Sequence, residues 1–258
     1  MPNTALITGA SAGIGAEFAR YHARKWADLA IVARRQEPLD ALKAELEAIH
    51  DITVTVIARD AGTPEQATAL FEEVKAKGIE IDVLINNAGF GGHGAFLDRD
   101  LAKDQAMIDL NVGALVTLSH HVGQEMKARG KGKMLQVSST AAFQPGPYQA
   151  TYFATKAFVS SFSQAIDEEM RPHGVTSTAL CPGLVNTEFV AVADLEGTGL
   201  AKQKGATPAS VAKGGYDAMM RGDLISINEG RLNVMMNWII PLLPRRTVLK
   251  TVGGMQTK

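Results

Sequence analysis

The stretch "TALITGASAGIG" (residues 4–15) joins a short apolar run to glycines at positions 9, 13 and 15. The run at 4–8 predicts a buried β-strand, and "IGAEFARYHARK" (14–25) predicts a helix that begins at the end of the glycine turn. A strand, a glycine-rich turn and a helix start together present backbone N–H groups to a pyrophosphate. The alternative is a tight connection without a ligand. The position of the glycine turn after the first strand favours a dinucleotide site. The residues expected to contact the dinucleotide are Gly9, Ser11, Gly13, Ile14 and Gly15.

The pattern of strand followed by helix continues along most of the chain. Further apolar runs predict strands at 29–33, 52–58, 82–86, 133–138, 175–180 and 224–227. Helical patterns lie between the strands, for example at 38–49 and 64–77. Near-continuous apolar strands are typical of parallel sheets that are covered on both faces. We therefore predict an α/β fold over residues 1–258, a Rossmann-like doubly wound parallel sheet of about seven strands in one domain.

Composition excludes several classes of function. Of the 258 residues, 46% are hydrophobic and 21% are charged, which is ordinary for a globular protein. The net charge of −1 provides no basic surface for nucleic acid. Cys181 is the single cysteine, so an intramolecular disulfide and a cysteine-based metal cluster are excluded, and we expect no metal. No signal peptide or run of ~20 apolar residues is present, and we expect a cytoplasmic protein.

The end of the second strand indicates which dinucleotide would bind. In "LAIVARR" (29–35), Ala33 stands where an acidic residue would bond a ribose 2′-hydroxyl, and Arg34 and Arg35 follow it. Two guanidinium groups suit a 2′-phosphate, because arginine binds phosphate in a bidentate manner. The alternative is an exposed basic pair that opens a surface helix. We predict NADP(H) in preference to NAD(H), with Asp60 either bonding the adenine amino group or serving as a solvated turn residue.

Four later motifs occur in a fixed order on the predicted elements. They are "NNAG" (86–89), Asn111 in "DLNVGAL", "QVSSTAAFQPGPYQATYFATK" (136–156) and "CPGLVNT" (181–187). With these motifs the chain resembles the short-chain dehydrogenase/reductase family over roughly residues 3–227. The resemblance implies an NADP(H)-dependent enzyme that interconverts a secondary alcohol and a ketone or aldehyde. It also implies a homodimer or homotetramer, paired through long helices at 100–129 and 152–171.

The tyrosine and lysine of "TYFATK" (151–156) lie one helical turn apart on the same face. Hydride addition to a carbonyl generates an alkoxide, which needs a proton donor. A free tyrosine has a pKa of about 10, and a neighbouring ammonium or an oxidised nicotinamide lowers it. We predict that Tyr152 is the acid in reduction and the base in oxidation, and that Lys156 lowers its pKa. By resemblance, Lys156 also holds the hydroxyls of the nicotinamide ribose.

A serine hydroxyl just past the fifth strand can donate a hydrogen bond to the substrate oxygen. The family places this serine thirteen positions before the tyrosine, which selects Ser139 over Ser138. In the family, Asn111 holds a water that links the lysine to solvent. The alternative is an amide that satisfies a kinked helix backbone, and the two roles are compatible.

The remaining cofactor contacts also follow from the resemblance. Asn87, Ala88 and Gly89 form a turn that lies beside the adenine ring or has a structural role in the sheet. The loop after the sixth strand is expected to cross the nicotinamide, because ligands bind at the carboxyl ends of strands in such sheets. The residues expected to contact the nicotinamide there are Pro182, Gly183, Val185 and Thr187.

Two segments outside these motifs bear on the substrate. The insert at 188–206 mixes apolar residues with glycines and is expected to form a lid. Five aromatic residues are candidates for apolar walls of the substrate site, the alternative being ordinary packing; they are Phe90, Phe96, Phe143, Tyr148 and Phe189. Apolar walls would favour a partly hydrophobic alcohol or ketone.

The tail at 228–258 contains "RLNVMMNWIIPLLPRR" (231–246), whose apolar part is too short to span a membrane. We expect it to cover the pocket or to form a subunit interface, ahead of contact with an anionic membrane surface. As an alternative function, the chain is a non-catalytic dinucleotide sensor. Such proteins commonly lose part of the Ser–Tyr–Lys set, which is complete here.

Overall fold

The computed structural model describes residues 3–25 and 27–257. Its centre is a seven-stranded parallel sheet in the order β3-β2-β1-β4-β5-β6-β7. The strands are β1 Ala5–Thr8, β2 Leu29–Ala33, β3 Val54–Ala58, β4 Val83–Asn86, β5 Gly132–Val137, β6 Val175–Leu180 and β7 Ile225–Ser226. The sequence predicted each of these strands to within two residues at either end. The predicted doubly wound fold is therefore confirmed.

Helices cover both faces of this sheet. The main helices are α1 Gly13–Ala23, α2 Gln36–Ile49, α3 Pro64–Ala76, α4 Leu101–Ile108, α5 Leu115–Arg129, α6 Ala150–Met170, α7 Phe189–Val192 and α8 Pro208–Arg221. Helices α1, α2 and α8 share one apolar core with the sheet, while α3 and α5 share the core on the opposite face.

Alternation along the strands explains why apolar runs fit this architecture. Successive side chains of a strand point to opposite faces of the sheet. In β1, Ile7 belongs to the core beneath α1 and α2, whereas Leu6 belongs to the core beneath α3 and α5. Both side chains are fully buried, so a polar residue at either position would lose its hydration.

The capping of α3 follows from its sequence. The Thr63 side chain accepts a hydrogen bond from the Gln66 backbone N–H (3.3 Å), and the Gln66 side chain accepts one from the Thr63 N–H (3.1 Å). Pro64 then occupies the first turn, where its missing N–H has no helical partner to lose.

Residues 230–256 fold into short helical pieces at the end of the chain. These are α9 Gly230–Val234, a π-helical turn Met235–Ile239, a 3-10 turn Ile240–Leu242 and α10 Arg245–Gln256. We call residues 230–256 the C-terminal cover. Within the described ranges, no helix combines the length and the apolar character needed to cross a membrane.

Candidate active site

The glycine turn between β1 and α1 has a backbone that other residues cannot reproduce. Gly9 (φ 68°) and Gly13 (φ 57°) adopt left-handed conformations that side chains disfavour. A Cβ at Gly15 would collide with the carbonyl oxygen of Gly9, so the helix can pass this close only with glycine. Because Ala12 precedes the helix and has no side-chain acceptor, the first N–H groups of α1 remain available to a ligand. This cradle fits the pyrophosphate of a dinucleotide.

The loop after β4 is attached to the glycine turn by hydrogen bonds. Thr8 Oγ1 accepts from the N–H groups of Asn87 (3.1 Å) and Ala88 (3.0 Å). The Asn87 amide donates to the carbonyls of Thr8 (2.9 Å) and Gly9 (3.2 Å). The Asn87 side chain therefore supports the turn, in line with the structural alternative, while Asn87, Ala88 and Gly89 also line the adjoining cavity.

The two arginines after β2 are exposed next to the glycine turn. The Arg35 guanidinium lies 3.4 Å from Ser11 Oγ and 3.2 Å from a Glu188 carboxylate oxygen. No motif in the sequence indicated that Glu188, which is 153 positions further along the chain, would contact Arg35. Asp60 accepts a hydrogen bond from the backbone N–H two residues later (3.1 Å), as expected of the turn residue. The structure thus brings Ser11 and Arg35 together, with Arg34 beside them on the surface.

Tyr152 and Lys156 lie one turn apart on α6, as the spacing predicted, and both side chains are buried. The Lys156 Nζ is 5.8 Å from the centroid of the Tyr152 ring. The ammonium also donates a hydrogen bond to the Val137 carbonyl at the end of β5 (2.9 Å). This bond fixes the lysine against the carboxyl end of the sheet.

Burial dominates the acid–base properties of the pair. It raises the pKa of Tyr152 to about 12, and the hydrogen bond with Ser139 acts in the opposite direction. Burial also lowers the pKa of Lys156 to about 8, because an ammonium loses its hydration there. The expected lowering of the Tyr152 pKa by Lys156 is therefore not observed, because desolvation of the buried phenol has the larger effect.

The two candidate serines differ in what their hydroxyls contact. Ser138 Oγ donates to the backbone carbonyl of Lys156 (2.7 Å), and this residue is almost fully buried. Ser139 Oγ instead interacts with the Tyr152 hydroxyl, donates a long hydrogen bond to the Pro182 carbonyl (3.4 Å) and accepts one from the Ala141 N–H (3.1 Å). Ser139 is thus placed beside the phenol, at the position that the family spacing selects.

Asn111 occupies a π-helical segment, Asp109–Ala114, between α4 and α5. Wider turns of this type are frequent at functional sites. The buried amide accepts from Phe90 N–H (3.1 Å) and donates to Phe90 O (3.0 Å) and Thr155 Oγ1 (3.1 Å). A Cβ built on Gly89 would lie 2.9 Å from Asn111 Oδ1 and 3.4 Å from Lys156 Nζ. Asn111 therefore holds the loop after β4 against the lysine.

The loop after β6 borders the same crevice. Pro182 O accepts from Thr140 N–H (2.9 Å), and Pro182 and Gly183 both line the cavity. Val185 forms an isolated parallel bridge with Ala206. Its two hydrogen bonds run from Ala206 N–H to Leu184 O (2.8 Å) and from Asn186 N–H to Ala206 O (3.0 Å). The N–H and C=O of Val185 therefore point to the other side.

The next part of this loop leads into α7, which lies over Tyr152. The Thr187 methyl group would be 3.1 Å from a Cβ at Gly13, so this threonine packs on the glycine turn. Phe189 follows and its ring centroid is 5.4 Å from that of Tyr152. Phe189 of the predicted lid segment (188–206) therefore contacts the phenol, and Thr187, just before that segment, contacts the glycine turn.

A cavity of about 470 Å³ connects these groups. It extends from the glycine turn, past Ser139, Tyr152 and Lys156, to the C-terminal cover. Phe189 is the one expected aromatic wall residue among the lining residues of the described chain. The other four, Phe90, Phe96, Phe143 and Tyr148, do not line the cavity, and Phe96 is 61% exposed. Aliphatic and methionine side chains of the cover form the wall instead, namely Leu232, Met235, Met236, Ile240, Leu243, Val248, Val252 and Met255.

Polar contacts attach the last helix to the substrate side of the cavity. Gln256 Oε1 accepts from Gln149 Nε2 (2.8 Å), and its carbonyl accepts from His93 Nε2 (2.6 Å). No motif in the sequence indicated these glutamines, because each acquires its role only when α10 folds back onto the site. His93 is a structural anchor for α10.

Residues 3–196 match the model of the short chain dehydrogenase family. Serine 3-dehydrogenase from Agrobacterium fabrum is 35% identical over 194 residues, which are 74% of this chain and 76% of that protein.

Two solved structures share the fold and the arrangement of elements. A short-chain dehydrogenase from Sphingobium yanoikuyae in complex with NADPH is 30% identical, covers 91% of this chain and 90% of its own, and has a TM-score of 0.83. The bulky-bulky ketone specific alcohol dehydrogenase from Comamonas testosteroni is 26% identical, with coverage of 95% and 96% and a TM-score of 0.78. The chain belongs to the short chain dehydrogenase family of oxidoreductases.

Proposed function

We propose that this protein is an NADP(H)-dependent oxidoreductase that interconverts a bulky, largely apolar secondary alcohol and the corresponding ketone. One observation carries the proposal. Ser139, Tyr152 and Lys156 meet in a cavity that joins a dinucleotide-type glycine turn to an apolar wall. A binding protein without catalysis has no need of a proton donor at that junction.

The residues around the glycine turn fit a dinucleotide with a 2′-phosphate. Gly9, Gly13 and Gly15 leave room for a pyrophosphate against the start of α1. Arg34 and Arg35 offer two guanidinium groups at the end of β2, where no carboxylate competes from the strand itself. The likeness to a dehydrogenase in complex with NADPH supports the same choice. When bound, the reduced cofactor supplies a hydride to the substrate carbonyl carbon.

The chain's own residues manage the proton in this reaction. The hydroxyls of Ser139 and Tyr152 bind the carbonyl oxygen and stabilise the negative charge that develops on it. With a pKa of about 12, Tyr152 is protonated at neutral pH and can give its proton to that oxygen. Oxidation of the alcohol runs in reverse and requires the phenolate. The Lys156 ammonium favours the phenolate electrostatically, at a position fixed by its bond to Val137 O.

Asn111 acts in this scheme as a positioning residue. Its three hydrogen bonds fix the Phe90 backbone and the Thr155 side chain. Phe90 directly follows Gly89 in the sequence, and Thr155 directly precedes Lys156. A water held between Asn111 and Lys156 would resupply the proton from solvent, as the family resemblance implies.

The substrate class follows from the cavity walls. Among the lining residues in the described ranges, the charged ones are Lys156, in the catalytic set, and Glu188, beside Arg35. The other polar side chains of the substrate side are neutral, among them Gln144, Gln149 and Gln203, and most of its wall is aliphatic. An anionic substrate would therefore bury a charge there without a charged partner. The likeness to an alcohol dehydrogenase specific for bulky-bulky ketones supports a large apolar ketone.

We also infer a homodimer or homotetramer. Phe158 on the outer side of α6 is 40% exposed and stacks on Phe162, which leaves an apolar strip on a long helix. Analytical ultracentrifugation of the purified protein tests this part; a monomer at every concentration contradicts it.

A ketone panel tests the proposed reaction. The protein is mixed with NADPH or NADH and with ketones that range from acetone to diaryl ketones, and the absorbance of the reduced nicotinamide is followed. We expect turnover with NADPH to increase with the apolar size of the ketone. An Arg34→Asp variant is expected to lose its preference for NADPH. Failure of every ketone with either cofactor, despite tight NADPH binding, would favour the sensor function.

A further inference from the structure

The C-terminal cover has two apolar faces rather than one. Its inner face lines the cavity, and Met236, Val248 and Val252 are buried there. Its outer face is exposed and apolar: Trp238 is 73% exposed and Leu242 is 85% exposed. Val234 and Ile239 are exposed in the same segment. Large exposed apolar side chains grouped in this way mark a site of interaction.

Exposed cations flank these apolar residues in the sequence of the cover. Arg231, Arg245, Arg246 and Lys250 are all exposed, and residues 231–257 contain no aspartate or glutamate. The ion pairs found among residues 3–25 and 27–257 involve other cations. The cover therefore presents apolar side chains, a tryptophan and unpaired positive charges together, although the chain as a whole has a net charge of −1.

The charge distribution distinguishes between two occupants of this face. In a two-fold dimer, the same patch of each subunit faces the other. Such a contact here would bring Arg245 and Arg246 of both copies together, with no carboxylate in the cover to offset the repulsion. An anionic bilayer surface complements both features, because its headgroups attract the cations while the interface accepts Trp238 and Leu242.

We propose that the outer face of the C-terminal cover binds the surface of an anionic phospholipid bilayer. Trp238 and Leu242 insert at the headgroup boundary, and Arg245 and Arg246 contact the lipid phosphates and carboxylates. Because the inner face of the same segment walls the cavity, this contact places the cavity next to the lipid. An apolar ketone dissolved in the bilayer could then enter without crossing water. The lipid contact itself does not depend on the proposed reaction.

Vesicle sedimentation of the full-length protein tests this proposal. Vesicles of phosphatidylcholine alone are compared with vesicles that contain about one third phosphatidylserine, at low and high salt. We expect the protein to pellet with the anionic vesicles and to be released by salt. The double variant Arg245→Gln/Arg246→Gln should bind about 30-fold more weakly, since each cation contributes on the order of 1 kcal/mol at such a surface.

Matched variants separate this contact from general stickiness. Trp238→Ser/Leu242→Ser should also lose binding, whereas Ile49→Ser should not, although Ile49 is 64% exposed at the end of α2. Circular dichroism checks that each variant is folded. The proposal is wrong if anionic vesicles do not pellet the wild-type protein, or if the arginine variant pellets undiminished. It is equally wrong if Trp238→Ser/Leu242→Ser converts a dimer into monomers, because a second copy then covers the face.

Discussion

The buried lysine predicts a particular pH dependence for the enzyme. Burial places the pKa of Lys156 at about 8, where an exposed lysine would remain charged to much higher pH. If the ammonium is needed to hold the cofactor ribose and to favour the phenolate, activity should follow its charged fraction. At one pH unit above the pKa, that fraction is about one tenth.

The assay is kcat/KM for NADPH in the reduction direction, measured between pH 6 and 10 with saturating ketone. At limiting NADPH this parameter reports the ionisation of the free enzyme. We expect a plateau at low pH and a decline above about pH 8, by about tenfold per pH unit. Tyr152 contributes no break in this range, since its pKa is about 12.

A lysine-to-arginine pair of variants provides the control. In Lys156→Arg the charge cannot be lost below pH 10, so the decline should disappear even if the overall rate is lower. Lys103→Arg, an exposed substitution on α4, should retain the wild-type profile. A wild-type profile that stays flat to pH 10 would show that activity does not follow the charge of Lys156. A decline that persists in Lys156→Arg would show the same.

Three further changes have defined outcomes. Gly15→Ala places a methyl group against a carbonyl of the same turn and should weaken NADPH binding at least about tenfold by calorimetry, whereas Gly214→Ala meets open space and should not. Glu188→Gln releases the exposed Arg35 and should tighten binding of 2′,5′-ADP, but not of 5′-AMP, about two- to fivefold. Lys156→Met should abolish activity but raise the free energy of unfolding at pH 7 by up to roughly 3 kcal/mol, as measured by urea titration. The reason is that a buried lysine with a lowered pKa opposes folding while it is charged. That gain should shrink as the pH rises from about 8 towards 10.5.

The sequence predicted the sheet well because its strands carry a local signal. A strand buried on both faces is apolar over most of its length, and β1 and β4, which are buried throughout, are apolar except for the polar residue at the end of each. The glycine turn and the Tyr152–Lys156 spacing are also local, so their geometry could be expected from a few neighbouring residues. The start of β3 was predicted two residues too early, and this edge strand has one neighbour and weaker burial.

What could not be predicted depends on contacts between distant segments. Glu188 meets Arg35 across 153 positions, and Gln256 meets Gln149 across 107. The sign of the Tyr152 pKa shift was also inaccessible, because the sequence shows the neighbouring ammonium but not the complete burial of the phenol. The aliphatic wall from the C-terminal cover has the same origin. A short apolar tail predicts burial somewhere, but not against which cavity.

A single turnover by Tyr152→Phe tests most directly whether the Tyr152 phenol supplies the proton. NADPH is pre-bound to the variant, a ketone that the wild-type enzyme reduces is added, and oxidation of the nicotinamide is followed by stopped flow. We expect an unchanged NADPH dissociation constant and a rate of nicotinamide oxidation lowered by about 10²- to 10⁴-fold, which is the usual contribution of a positioned proton donor. A rate close to that of the wild type, with NADPH bound normally, would show that the phenol does not supply the proton.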